Sequence, residues 1–223
     1  MKGKLIIIEA GDGSGKATQT SLLYKRLVSE KKKVCKVEYP DYKSESSALV
    51  KMYLRGDFGK TAEAVNAYAA STFFAVDRYA SYKTKWKEQY ENGAVVIADR
   101  YTTSNMVHQA VKIKEMKERS NFLDWLFDLE FGKMGLPQPD MVIFLDMPPQ
   151  FSDELLKVRG ASSGGNDIHE ADRDYLHHCY RVYKDISAKY DWKKVDCVKN
   201  GKIRSVESIH EDIYAMIKSC VNF

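Results

Sequence analysis

The sequence predicts an α/β fold in which a five-stranded parallel sheet is flanked by helices. Short apolar runs alternate with amphipathic helical stretches along the whole chain, the order of elements that builds such sheets. Two runs, Leu5-Ile6-Ile7-Ile8 and Val142-Ile143-Phe144-Leu145, are apolar at every position, as strands covered on both faces are. A length of 223 residues suits one large domain or two small ones, enough to bury about 70% of the unfolded surface.

The first strand is expected at Leu5–Glu9, followed by a helix carrying Leu22, Leu23, Leu27 and Val28. Lys31-Lys32-Lys33 then suits the negative end of that helix. Further strands are expected at Val34–Tyr39, Ala94–Asp99, Met141–Asp146 and Lys194–Val198. Val206, Ile209, Ile213 and Ile217 place a last helix by their spacing. No internal repeat or domain-splitting linker appears, so 1–223 reads as a single domain. The one low-complexity patch, Gly160-Ala161-Ser162-Ser163-Gly164-Gly165-Asn166, is a surface loop or a flap.

Composition excludes several classes. With 44% hydrophobic residues the chain is not disordered, and 35 Lys and Arg against 31 Asp and Glu is too even for a nucleic-acid coat. Four apolar residues before Glu9 are too few for a signal peptide, and no run approaches the ~20 residues of a membrane helix. Cys35, Cys179, Cys197 and Cys220 form no C-x-x-C pair and read as reduced thiols. A cytoplasmic protein with neither nucleic-acid nor membrane partner is expected.

The strongest local signal is Gly11-Asp12-Gly13-Ser14-Gly15-Lys16-Ala17-Thr18, between the first strand and its helix. Glycines there let backbone N–H groups curl around phosphate oxygens at a helix N-terminus, and Lys16 reaches the outer phosphates of a triphosphate such as ATP. The strict pattern G-x-x-x-x-G-K-[ST] breaks at both ends. Ala10 replaces the first glycine, a mild change at negative φ; Ala17 replaces the hydroxyl that binds Mg²⁺, so that ligand must come from Thr18, Asp99 or water.

A second site follows the third strand. Asp99 ends it, where open α/β sheets bind ligands, and suits Mg²⁺ through water; Arg100 can fork onto a phosphate. Asp146, which ends the next strand ahead of Pro148 and Pro149, reads as a structural turn-maker. Phe74 and Arg78 are one helical turn apart, an aromatic face beside a guanidinium. Ser104 shares a face with His108, and Asn105 with Gln109; an Asn amide matches the N3–H and carbonyl edge of thymine or uracil.

Together, the loop, the Phe74–Arg78 pair and Asp99-Arg100-Tyr101 with Ser104 and Asn105 resemble the thymidylate kinases, P-loop NTPases that phosphorylate dTMP with ATP. The resemblance covers nearly the whole chain, its specific part being the middle section. It implies that Asp12 contacts the dTMP sugar or the metal shell, and that Tyr39-Pro40 borders the acceptor pocket. Phe74 would stack on thymine, Arg78 and Arg100 would hold the dTMP phosphate, and Asn105 would read the base. His108 stands where many members carry a Tyr that excludes a 2′-OH. Gly13 stands where some members carry a catalytic Arg; members without it carry arginines in a lid, here about 159–170. Arg159 matches best and Arg173 second. A homodimer is also implied.

On this reading Lys16, Arg100, Arg159 and Mg²⁺ supply positive charge to the transferring phosphoryl group. A phosphate acceptor needs no general base, whereas a nucleoside hydroxyl does. Glu9 and Asp41 are the carboxylates that keep a nucleoside kinase open. Other readings are a kinase of dUMP or another nucleotide, and, because of Ala17, a nucleotide-binding regulator without turnover.

Overall fold

The computed structural model describes residues 2–160, 168–169 and 172–220, with the side chains of 157–160 excepted. Five parallel strands form one sheet: β1 (Lys4–Glu9), β2 (Val34–Glu38), β3 (Val95–Asp99), β4 (Met141–Asp146) and β5 (Lys193–Asp196), in the order β2-β3-β1-β4-β5. The continuous apolar run of β1 follows from its central place. Ile6 and Ile8 face Leu23 and Leu27 of α1 (Lys16–Ser29) and Ile209, Ile213 and Ile217 of α9 (Val206–Cys220). Leu5 and Ile7 face the other way, onto Tyr82, Trp86 and Tyr90. Alternate residues of one strand thus feed two separate cores.

The remaining helices in chain order are α2 (Ala48–Leu54), α3 (Ala67–Ser81), α4 (Lys87–Glu91), α5 (Thr102–His108), α6 (Met116–Phe127), α7 (Pro149–Gly160) and α8 (Arg173–Lys189). Asn66 caps α3 by accepting from the Ala69 N–H at 2.9 Å, and Asp172 caps α8 by accepting from that of Tyr175 at 2.9 Å. α1 differs: its cap is Gly15 at φ 82°, with no side-chain hydrogen bond and no acidic residue in its first turn. Like α2, α4, α5 and α6, it has no capping side chain of the kind that completes the starts of α3 and α8, so its leading N–H groups lack that acceptor.

Several element bounds differ from those expected: β1 starts at Lys4, one residue before Leu5, and β3 at Val95, one residue after Ala94. The run Lys194–Val198 breaks at Cys197. Val198–Lys199 (β6) instead pairs antiparallel with Lys202–Ile203 (β7), across Asn200 and Gly201 at φ 52° and 70°. Asn-Gly tolerates these left-handed angles and makes the tight hairpin turn. β2 stops at Glu38, one residue short of Tyr39. Lys31, Lys32 and Lys33 lie beyond the end of α1, whose last-turn cation is Arg26.

Adjacent residues of α1 test this packing. Leu27 is fully buried, whereas Val28 is 48% exposed. Leu27→Ala is expected to lower stability by about 2–5 kcal/mol in urea denaturation. Val28→Ala should change it by no more than about 0.5 kcal/mol; equal losses would contradict the placement of the helix.

Candidate active site

The carboxyl ends of the strands open into a cavity of about 700 Å³, with the loop 12–15 and the start of α1 in its wall. Ala10 is buried and is not among the residues at positive φ, so a methyl group there costs no backbone strain. Gly13 and Gly15, at φ 77° and 82°, adopt the left-handed conformation that the curl requires. A Cβ on Gly13 would lie 2.7 Å from Ser152 O and from Leu156 Cγ of α7. That helix packs directly on the loop, which leaves no room here for the arginine some thymidylate kinases carry.

Lys16 is buried, and its Nζ donates to Ala10 O at 3.0 Å and Gly11 O at 3.1 Å, 3.7 Å from Asp12 Oδ1. Burial, then the charge of Arg100, draws its ammonium below the ordinary lysine range. Ala17, Thr18 and Asp99 all line the cavity, and Ser14 Oγ is buried in the loop without a hydrogen-bond partner. Among the described residues no three His, Cys, Asp or Glu side chains cluster to hold a metal.

Arg100 links the loop to the next helix. At φ 67° it is a non-glycine residue in the left-handed region, a strain of about 1–3 kcal/mol that surrounding contacts must hold. Its Nη2 is bonded to Asp12 Oδ1. Its Nη1 lies 3.1 Å from Ser104 Oγ, 3.4 Å from His108 Nε2 and 3.4 Å from Tyr183 Oη. Burial raises the Asp12 carboxyl, but Arg100 and Lys16 outweigh it and hold the group below the usual carboxylate range. Behind this cluster, Glu9 accepts hydrogen bonds from Thr103, Ser104 and Tyr183 at 2.7, 2.8 and 3.1 Å. Glu9 is fully buried and does not line the cavity. Neither does Asp41, whose carboxylate pairs with Lys85.

Phe74, Arg78, Tyr39, Pro40, Asn105 and Gln109 form the cavity's second region. Phe74 meets Tyr53 edge-on, with centroids 6.2 Å apart, and Asn105 Nδ2 is 3.5 Å from Ser71 O. The hydroxyl of Tyr39 is turned into the core, donating to Ser81 Oγ at 3.2 Å and accepting from Trp86 Nε1 at 3.0 Å. Arg78, expected on a phosphate, is instead forked onto Glu130, Nε to Oε2 at 2.7 Å and Nη2 to Oε1 at 2.6 Å. Both partners are buried, so the charge of Arg78 is already compensated inside the fold.

A third region is made by Gln19, Met147, Leu155, Ile203, Arg204, Val206 and Ile209. The sequence marked Val206 and Ile209 only as positions on the last helix and none of the seven as site residues, although Asn200-Gly201 is a hairpin signal that points to this wall. Asp146 is structural, as expected: it accepts from Tyr180 Oη at 2.7 Å and lies 3.5 Å from Lys194 Nζ. Of the lid expected over 159–170, the backbone of 159–160 and the residues Ile168 and His169 are described; the Arg159 side chain and residues 161–167 and 170 lie outside the described ones. Arg173 is exposed at the start of α8 and does not line the cavity.

His169 joins the site unannounced by any motif. Its ring is parallel to that of His108, with centroids 5.6 Å apart, and its Nε2 lies 2.9 Å from Tyr53 Oη. Burial, then Lys112, lowers the imidazole to about 3, and burial followed by Arg100 holds His108 well below its ordinary value. Both rings are therefore neutral when folded and take up protons when unfolded below about pH 6.5. Stability is full above that pH and falls as pH drops toward the folded-state values, by up to about 1.4 kcal/mol per pH unit for each histidine. Urea denaturation between pH 7.5 and 5 should show this slope, and His169→Phe should reduce it. An unchanged slope would contradict the assignment.

The family model described as thymidylate kinase matches residues 8–213. A probable thymidylate kinase of Pyrococcus horikoshii is 28% identical over 218 residues, 98% of this chain and 97% of that protein. Human thymidylate kinase is 28% identical over 222 residues, 99% of this chain and 92% of that protein. In fold, the chain resembles the solved thymidylate kinase of Candida albicans, with a TM-score of 0.70 at 22% identity over 98% of this chain and 92% of that one. The family match takes in every wall of the cavity, from Asp12 to Ile209, and the chain belongs to the thymidylate kinase family of nucleoside monophosphate kinases.

Proposed function

We propose that the chain transfers the γ-phosphoryl group of ATP to dTMP, giving dTDP. The observation that carries this reading is the composition of the cavity wall. It presents Lys16 and Arg100 beside the carboxylates Asp12, Glu38 and Asp99, of which Asp12 is already bonded to Arg100, while Glu9 and Asp41, the acids that would suit a nucleoside kinase, lie outside it. A phosphate acceptor is already ionised and needs positive charge and alignment, not a base.

The ATP phosphates sit in the loop, against the open N-terminus of α1 and the unpartnered Ser14 Oγ. Lys16 leaves the carbonyls of Ala10 and Gly11 to meet the outer phosphates. The adenine lies among Ile203, Val206 and Ile209. On the acceptor side Phe74 offers its ring to thymine and Asn105 reads the N3–H edge. Arg78, neutralised by Glu130, suits a base carbonyl better than a phosphate, which leaves Arg100 to grip the dTMP phosphate. Asp12 orients that guanidinium, with Ser104 and His108 beside it.

Mg²⁺ fits this site as an ion carried mainly by phosphates and water, because Ala17 offers no oxygen and no carboxylate cage is present among the described residues. Asp99 would hold it through water, with Thr18 nearby, and the ion would neutralise charge developing on the phosphates. No described helix is long and apolar enough to cross a membrane. The four free cysteines suit a reducing compartment, the cytoplasm.

The chain also works as a homodimer. Tyr68, Val76 and Tyr79 are 41%, 47% and 39% exposed on one face of α3, beside Trp125 of α6, whose ring lies 4.7 Å from that of Tyr68. An apolar face of this kind suits an isologous contact with a second copy. Wild type should sediment as a dimer and Val76→Asp as a monomer; a monomeric wild type at micromolar concentration would contradict this.

The reaction is tested by ADP release from Mg-ATP with dTMP, dUMP, dCMP, dGMP and thymidine in turn. Turnover is expected with dTMP, and Arg100→Ala should lower it by about 10²–10³-fold with the fold retained. Turnover of thymidine but not dTMP would overturn the assignment, and activity of Arg100→Ala within a few-fold of wild type would remove Arg100 from the phosphate.

A further inference from the structure

Arg100 can grip an acceptor phosphate only if its own orientation is fixed, and His108 contributes to that orientation. An arginine has only donors, so the contact of Arg100 Nη1 with His108 Nε2 at 3.4 Å is a hydrogen bond in the tautomer whose proton is on Nδ1, the nitrogen that faces Cys179 Sγ at 3.6 Å; Tyr183 Oη also borders Nε2, at 3.3 Å. For the lone pair of Nε2 to aim at Arg100 the ring must be held at one angle. Tyr175 and Tyr183 border it with centroids 6.1 and 5.8 Å away, inclined at 36° and 84°. Only His169 lies parallel to it among these rings, at 1°.

His169 is itself anchored away from α5. The Ile168 N–H donates to Leu54 O at 3.1 Å, tying this segment to the end of α2. Ile168 also packs against the core formed by Val50, Tyr53, Leu54 and Ala70. The His169 ring meets that of Tyr53 edge-on at 5.4 Å and hydrogen-bonds its hydroxyl. A chain of contacts thus runs from α2 through His169 and His108 to Arg100, and both histidines line the cavity.

We propose that His169 is a positioning residue of the acceptor site, which acts through its ring on His108 and thereby fixes Arg100. The root of the segment between α7 and α8 is then part of the phosphate grip. This inference rests on the assignment of Arg100 to the acceptor phosphate. The neutral state of both imidazoles supports it, since a proton on either would set a second cation beside Arg100.

The test is a double-mutant cycle on His108 and His169, with the nucleoside monophosphate that the wild type turns over best. Failure of dTMP as substrate therefore leaves the cycle readable. His169→Ala is expected to raise the acceptor KM about tenfold, the scale of coupling between contacting residues, with the ATP KM within about twofold. His108→Ala should act similarly, and the double variant should be little worse than either single one. His169→Phe keeps a flat ring and should restore most of the acceptor affinity, whereas His169→Gln keeps a polar partner for Tyr53 and should not. Should His169→Ala fold poorly, the Phe and Gln variants decide alone. Additive losses, equal rises in both KM values, or a Gln variant as good as the Phe variant would overturn the proposal.

Discussion

The site depends on one buried carboxylate that never meets the cavity. Glu9 ends the central strand and accepts the hydroxyls of Thr103 and Ser104 from α5 and of Tyr183 from α8. These bonds fix two helices relative to the sheet edge, immediately beside the phosphate loop. Two of the three donors, Ser104 and Tyr183, also contact Arg100. The strained backbone of Arg100 persists because its surroundings determine its position several times over. An acid that could be mistaken for a catalytic base is thus the scaffold on which the cationic centre is built.

Charge is distributed around the cavity in two ways. Arg100 shares Asp12 with Lys16, so one carboxylate holds two cations next to each other without a ligand. Arg78 is different: Glu130 compensates it permanently in the interior. The same residue type is thus paired with a carboxylate that lines the cavity in one case, Asp12, and with a fully buried one in the other, Glu130.

Much of the fold was legible because its signals are local. The phosphate loop is contiguous, and β1 and β4 declare themselves by unbroken apolar runs. Asp99, Arg100, Ser104 and Asn105 follow one strand closely enough to be read together. What escaped the sequence is what folding brings from afar. Glu130 lies 52 residues from Arg78, and Tyr183 lies 174 from Glu9. His169 carries no motif, and its meaning comes from the ring stacked on it. The pairing of Arg78 escaped for the same reason, since no local pattern revealed the carboxylate that neutralises it.

The central claim is that Arg100 recognises a phosphate on the acceptor. Calorimetric titration of wild type and Arg100→Ala with dTMP and with thymidine, without ATP, tests it most directly. Wild type is expected to bind dTMP far more tightly than thymidine, and the difference to collapse in the variant while thymidine affinity is preserved. Equal affinity of wild type for the two ligands, or an undiminished preference for dTMP in the variant, would contradict it.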